Sequence, residues 1–116
     1  MDKQKKTTPK TLPVRLSLNA LQNIDEITGY IAFVKLQPAN AIKVGDSIFE
    51  TIERIATAPF AFKECEEIPT KTKMYRLAVC FSWSVIYRIT NIEILILGVI
   101  HHSRRPSKTA KLRKVK

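Results

Sequence analysis

The sequence is poor in the residues that mark several common classes of protein. It has only three glycines, so it holds no glycine-rich phosphate loop, and we expect no nucleotide cofactor. Its two cysteines, Cys65 and Cys80, stand 15 positions apart and form no CxxC motif, which favours a reducing compartment. The longest unbroken apolar run, Ile94–Ile100, has seven residues, whereas a membrane-spanning helix needs about 20. No apolar stretch follows the charged start Met1–Lys6, so we expect no secretory signal. These features predict a cytoplasmic protein without a membrane span.

Charge is distributed unevenly along the 116 residues. The formal net charge is +10, yet residues 12–103 carry nine basic and nine acidic side chains and are neutral. Residues 1–11 supply +3, and residues 104–116 supply +7. We interpret residues 1–11 as a disordered basic arm, 12–103 as a single domain and 104–116 as a basic C-terminal tail. Such ends either attract a polyanion or only keep the protein in solution.

Hydrophobic spacing predicts an α+β fold. Alternation over Val14–Leu18 indicates a short strand. Apolar residues then recur at spacings of four and three in two stretches, which indicates two amphipathic helices, the first capped by Asn19 and the second beginning at Pro38. Three alternating runs follow and predict antiparallel strands at Lys73–Phe81, Trp83–Ile89 and Ile92–Ile100. The order is β-α-α-β-β-β, an antiparallel meander plus an N-terminal strand, with a helical hairpin packed on one face.

The last predicted strand is apolar on both faces. Its alternation puts Leu95, Leu97 and Val99 on the face opposite the isoleucines. Two helices cover only one face of a four-stranded sheet, so this second face is expected to be open, and an exposed apolar area usually marks a partner site. Two alternatives stay open: a homodimer, or a C-terminal helix that folds back over the sheet.

Several short motifs in this order resemble the RelE/ParE superfamily of type II toxin–antitoxin toxins. They are Tyr75-Arg76-Leu77, the strand Val85–Ile89 and the ending Ile96–Pro106, in which an apolar strand leads into His101-His102-Ser103-Arg104-Arg105-Pro106. His102 stands where the family ending has Gly, and Arg105 stands where it often has Asn. The resemblance covers roughly residues 12–106. It implies a growth-inhibiting toxin, of the kind that stabilises plasmids, held inactive by a cognate antitoxin that would cover Leu95, Leu97 and Val99.

The superfamily divides by mechanism. RelE-type members cleave mRNA on the ribosome, which requires a base, an acid and cations around one phosphate. Residues of suitable chemistry are His101 and His102 for proton transfer, Arg76 and Arg88 for the phosphate and Tyr87 as a hydrogen-bond donor. We refer to these five as the nuclease set. Adjacent strand residues point to opposite faces, so the two histidines are not expected to share an ion, and we predict no metal site.

ParE-type members poison DNA gyrase and lack the ribonuclease residues. Two features favour this reading: the domain is neutral, and the strand that begins at Tyr75 lacks the second arginine of RelE-type members. Arg104 and Arg105 would then contact the target or a phosphate. The sequence therefore predicts a ParE-like gyrase poison. One alternative is a RelE-like ribosome-dependent mRNA endoribonuclease, and another is an accessory nucleic-acid-binding protein that acts through its basic tails.

Overall fold

A computed structural model describes residues 11–116, and the arm predicted at residues 1–11 lies, except for its last residue, outside the described part. The elements are β1 (Val14–Leu16), α1 (Leu18–Gly29), a π-helical turn (Tyr30–Val34), α2 (Pro38–Thr57), β2 (Tyr75–Cys80), β3 (Trp83–Ile89) and β4 (Ile94–His101). Short helical turns follow at His102–Arg104, Arg105–Lys108 and Thr109–Lys114. We call residues 102–116 the C-terminal segment. The predicted α+β order is confirmed as far as β4.

The four strands form one mixed sheet in the order β1-β4-β3-β2. Strands β2, β3 and β4 make the predicted antiparallel meander, while β1 pairs in parallel with β4 and places Val14 opposite Ile94. Strand β1 stops opposite Ile96, so no strand of the described part of the chain lies beside the later residues of β4 on that side. Side chains of α1 take its place there.

Helix α1 begins two residues earlier than the predicted cap at Asn19 implies. The hydroxyl of Ser17 accepts the backbone N–H of Ala20 at 3.0 Å and is the N-cap. The amide of Asn19, expected to be the cap, instead donates to the Leu97 carbonyl at 3.0 Å, and Asn23 Oδ1 accepts the N–H of Val99 at 2.9 Å. These bonds fix the first turns of α1 against the open side of β4.

The main core lies between the helical hairpin and one face of the sheet. Buried isoleucines of both helices pack there against alternate residues of the strands; the fully buried members are Ala20, Ile48, Ile55, Val85, Tyr87, Ile94 and Ile96. The 3.6-residue spacing of the helices and the two-residue spacing of the strands meet in this layer.

The second face of the sheet is covered, and the expectation of an open face is wrong. Leu95 and Leu97 are 0% exposed and belong to a second apolar cluster with Leu112 of the C-terminal segment and Ile68 of the loop before β2. Val99 lies in the main core instead. A register shift against β3, between Ile86 and Tyr87, inserts an extra residue in β4 and reverses the side-chain alternation beyond it.

The C-terminal segment, which includes the predicted basic tail, packs on the sheet. Thr109 and Leu112 are buried, and the Leu112 side chain would lie 3.2 Å from a Cβ added at Gly98. The guanidinium of Arg105 donates to Glu67 Oε1 at 2.9 Å and ties the segment to the loop before β2. The structure therefore agrees with the alternative in which the C-terminal residues fold back over the sheet, although they form short helical turns and not one continuous helix.

Candidate functional site

The end of β4 brings together both histidines, the single tryptophan and two arginines of the chain. His101 is exposed, and its Nδ1 accepts the backbone N–H of Ser103 at 3.1 Å. Its ring meets Trp83 edge-on, with 5.7 Å between the ring centroids. His102 is also exposed, and its backbone N–H donates to the Ser82 carbonyl. Both imidazoles are thus accessible from solvent.

The two arginines after these histidines have different surroundings. Arg104 is exposed, whereas the side chain of Arg105 is 17% exposed and is paired with Glu67. Burial acts to raise the pKa of the Glu67 carboxyl, but the hydrogen bond and charge of Arg105 outweigh it and hold that pKa below its ordinary value. Arg105 therefore anchors the C-terminal segment, and Arg104 is the one of the pair that faces solvent.

The rest of the nuclease set lies at the other end of the meander. Arg76 pairs with Tyr87 in the sheet register, and Tyr87 pairs with Ile96, five residues before His101. At about 3.3 Å per strand residue, the backbone of Arg76 and Tyr87 lies roughly 15 Å along the sheet from the backbone of His101. The structure does not bring the five residues together.

The three remaining members of the nuclease set make contacts that hold the loop before β2 or cover the sheet. They are Arg76, Tyr87 and Arg88. Arg76 donates to the carbonyls of Phe60 and Phe62, at 3.2 and 2.7 Å. Tyr87 is fully buried, its hydroxyl donates to the Pro59 carbonyl at 2.6 Å, and burial raises its pKa far above the ordinary value. Arg88 lies over the ring of Tyr75, on the opposite face of the sheet, with its guanidinium carbon 6.0 Å from the ring centroid.

No group of three or more His, Cys, Asp or Glu side chains converges within residues 11–116 to form a metal site. Cys65 and Cys80 are both buried and belong to different apolar clusters. Burial raises the pKa of the Cys65 thiol to about 11, which keeps it protonated and weakly nucleophilic at neutral pH. Among the described residues, no helix is long and apolar enough to cross a membrane.

A cleft between α1 and the end of β4 adjoins the exposed histidine. It consists of two cavities of about 350 and 650 Å³ that share the lining residues Asn23, Glu26, Val99, His101 and Arg104. Lys108 and Lys111 of the C-terminal segment line the smaller cavity. Sequence reasoning missed these two lysines because it treated residues 104–116 as a basic tail without a place in the fold. Their signal is their spacing: Lys108 lies four residues after Arg104, and Lys111 lies three residues after Lys108, which places all three on one side of a helix.

The sequence model of the "ParE toxin of type II toxin-antitoxin system, parDE" matches residues 14–106, which is most of the chain. The match runs from β1 to the first residues of the C-terminal segment, so it includes the histidines and arginines at the end of β4. The chain belongs to the ParE toxin family. It is therefore a ParE-like toxin of a type II toxin–antitoxin system, and such a system implies an antitoxin as its partner.

A solved structure of the same architecture comes from a system described as "Chromosomal ParDE TA system from P. aeruginosa". It is 18% identical in sequence with a TM-score of 0.64, and the match covers 78% of this chain and 96% of that one. At this level of identity the similarity shows a common fold. No curated protein matches the chain.

Proposed function

We propose that this ParE-family toxin inhibits bacterial growth by poisoning DNA gyrase in the cytoplasm, and that a cognate antitoxin neutralises it. The observation that carries the choice of target is the separation of the nuclease set. A ribonuclease needs its base, its acid and its cations within hydrogen-bond reach of one phosphate. Here the histidines lie roughly 15 Å along the sheet from Arg76 and Tyr87.

The buried state of Tyr87 supports the same choice. Its hydroxyl already donates to the Pro59 carbonyl, and it has no accessible surface from which to reach a substrate. Arg76 is likewise engaged by backbone carbonyls of the loop before β2. In the gyrase hypothesis Arg104 contributes a contact charge, while Arg105 holds the C-terminal segment in place.

Two parallel assays on the purified protein test the target. With gyrase, ATP and plasmid DNA, we expect broken DNA to accumulate, and we expect His101→Ala to retain this activity. In a translating extract we expect no mRNA cleavage. Codon-spaced mRNA cuts that fall about 10²–10⁴-fold in His101→Ala would overturn the proposal in favour of the RelE-like nuclease, because general acid–base catalysis contributes a factor of that size.

A growth assay tests neutralisation and the accessory-protein alternative together. Induced expression should halt growth, and co-expression of the cognate antitoxin should restore it. Replacing the four lysines of residues 1–11 with glutamine changes no residue of the helices and strands and should leave growth inhibition intact. Loss of inhibition in that variant would indicate a protein that acts through its basic arm.

An antitoxin surface at Leu95, Leu97 and Val99 remains a prediction, with one added requirement. The first two side chains are covered by the loop before β2 and by the C-terminal segment, so an antitoxin that used them would have to displace that segment. Val99 lies below the helical hairpin and would be reached only from the cleft side.

A further inference from the structure

The cleft between α1 and the end of β4 has an excess of positive charge. Arg104, Lys108 and Lys111 line its smaller cavity, and Lys35 lines the larger one. Among the described residues that line the two cavities, Glu26 is the one carboxylate. The two ion pairs found within residues 11–116 involve other arginines, so the cations of the cleft are not neutralised by ion pairs with described carboxylates.

Three of the cations of the C-terminal segment, those that line the cleft, form a row. Their spacing of four and three residues puts them on one side of the helical turns, and all three side chains are exposed. The segment itself is held on the sheet by Leu112 and by the ion pair of Arg105, so the row keeps a fixed position beside the cleft. A fixed row of unpaired cations along a cleft attracts a chain of regularly spaced negative charges.

Aromatic side chains lie at the other end of the same cleft. Trp83 and His101 line it as an edge-to-face pair, and Tyr30, which is 52% exposed, stands across from them on the π-helical turn. Flat rings beside a basic groove are how proteins hold the bases and backbone of single-stranded nucleic acid. The carboxylates of an acidic peptide would engage the cations but would not stack on the rings.

We propose that this cleft binds single-stranded nucleic acid. The phosphates lie along Arg104, Lys108 and Lys111, and a base stacks at the end formed by Trp83, His101 and Tyr30. This binding site goes beyond the proposed action on gyrase and does not depend on it, since the cleft, its charge and its rings belong to the toxin alone.

The chain carries its own reporter for this site. Trp83 is its only tryptophan, so stacking of a base in the cleft should quench the intrinsic fluorescence. The full chain is titrated with an oligothymidylate of about 12 nucleotides and with an oligouridylate of equal length, within the range of site sizes that such proteins cover. We expect saturable quenching by either strand, and the ratio of the two dissociation constants distinguishes DNA from RNA as the preferred strand.

Two double variants separate this site from general attraction to a basic protein. Arg104→Gln with Lys111→Gln removes two cations of the cleft, and Arg113→Gln with Lys114→Gln removes the same charge from exposed residues of the same segment that do not line it. We expect the cleft pair to weaken binding about tenfold or more. It should also lower the slope of log K against log salt by about 1.4, since each phosphate contact contributes about 0.7. The control pair should change affinity less than about threefold.

Several outcomes would overturn the proposal. Equal losses in the two double variants would show that binding is general electrostatic attraction. A polyglutamate peptide of equal charge that quenches Trp83 with the same dissociation constant as the single strands would assign the cleft to an acidic protein segment. A duplex that binds more tightly than the single strands would show that stacking on the rings plays no part. Urea unfolding of both variants checks that the exposed substitutions leave the fold intact, and Lys108→Gln with Lys111→Gln serves as a second cleft pair.

Discussion

Replacing Leu97 with glutamate should unfold the isolated toxin. The side chain is 0% exposed and lies between the sheet and the C-terminal segment, so the new carboxyl would have to be neutral in the folded state. Protonating a glutamate at pH 7 costs about 4 kcal/mol, from its ordinary pKa of about 4.3. The lost burial of leucine adds about 2–3 kcal/mol. The sum, about 6 kcal/mol, is comparable with the whole stability of a small domain, about 5–15 kcal/mol.

Urea unfolding followed by Trp83 fluorescence and circular dichroism measures this loss. Ile92→Glu is the matched control, because Ile92 is 75% exposed just before the same strand and should lose less than about 0.5 kcal/mol. A Leu97→Glu protein with the unfolding midpoint of the wild type would refute the reasoning. It would mean that this face of the sheet is open and that the C-terminal segment does not pack on it.

Three further substitutions or conditions test local features. Leu36 follows the π-helical turn, is exposed and has a φ of 56°, a left-handed conformation that favours glycine. Leu36→Gly should raise the free energy of unfolding in urea by about 0.5–1 kcal/mol. An equal gain in Leu36→Ala would show that backbone strain is not the cause. Arg105 holds the pKa of Glu67 in the folded state below its ordinary value of 4.5, so the stability that this ion pair contributes is present above pH 4.5 and is lost as pH falls through the folded pKa. The urea unfolding midpoint of the wild type should therefore drop more between pH 7 and pH 3 than that of Glu67→Gln. Parallel plots of midpoint against pH for the two proteins would contradict the assignment. In the Cys80→Ala variant at pH 8, a thiol reagent should modify Cys65 about a hundredfold more slowly in the folded protein than in the protein unfolded in urea, because burial raises the pKa of the thiol from 9.0 to about 11. Equal rates in the two states would show that the thiol is accessible.

The order of the helices and strands could be predicted from the sequence because each signal is local. The helical stripes and the break at Pro38 gave the hairpin, and alternation gave the three strands of the meander within about two residues of their observed ends. The parallel pairing of β1 with β4 depends on contacts about 80 residues apart, and periodicity carries no information about which edge a strand joins.

The assignment of faces failed where the alternation itself changes. Strict alternation along β4 predicts that Val99 lies on the same face as Leu97. The register shift at Tyr87 adds one residue to β4, so Val99 instead faces the main core and Ile100 faces the second cluster. A bulge of this kind reflects pairing with the neighbouring strand. Single-strand patterns therefore cannot locate it, although the glycine at position 98 marks a place where one fits.

The candidate site was only partly predictable, and the reason lies in the C-terminal segment. Counted as charges, residues 104–116 look like a tail, since seven of thirteen are basic and none is acidic. One buried leucine, Leu112, and one ion pair, from Arg105 to Glu67, are enough to place that segment on the sheet. Once it is placed, adjacent arginines that look equivalent in the sequence separate into an anchor and a cleft residue. The position of Arg104 in the cleft therefore depends on Glu67, 37 positions earlier, and that dependence exists only in the folded chain.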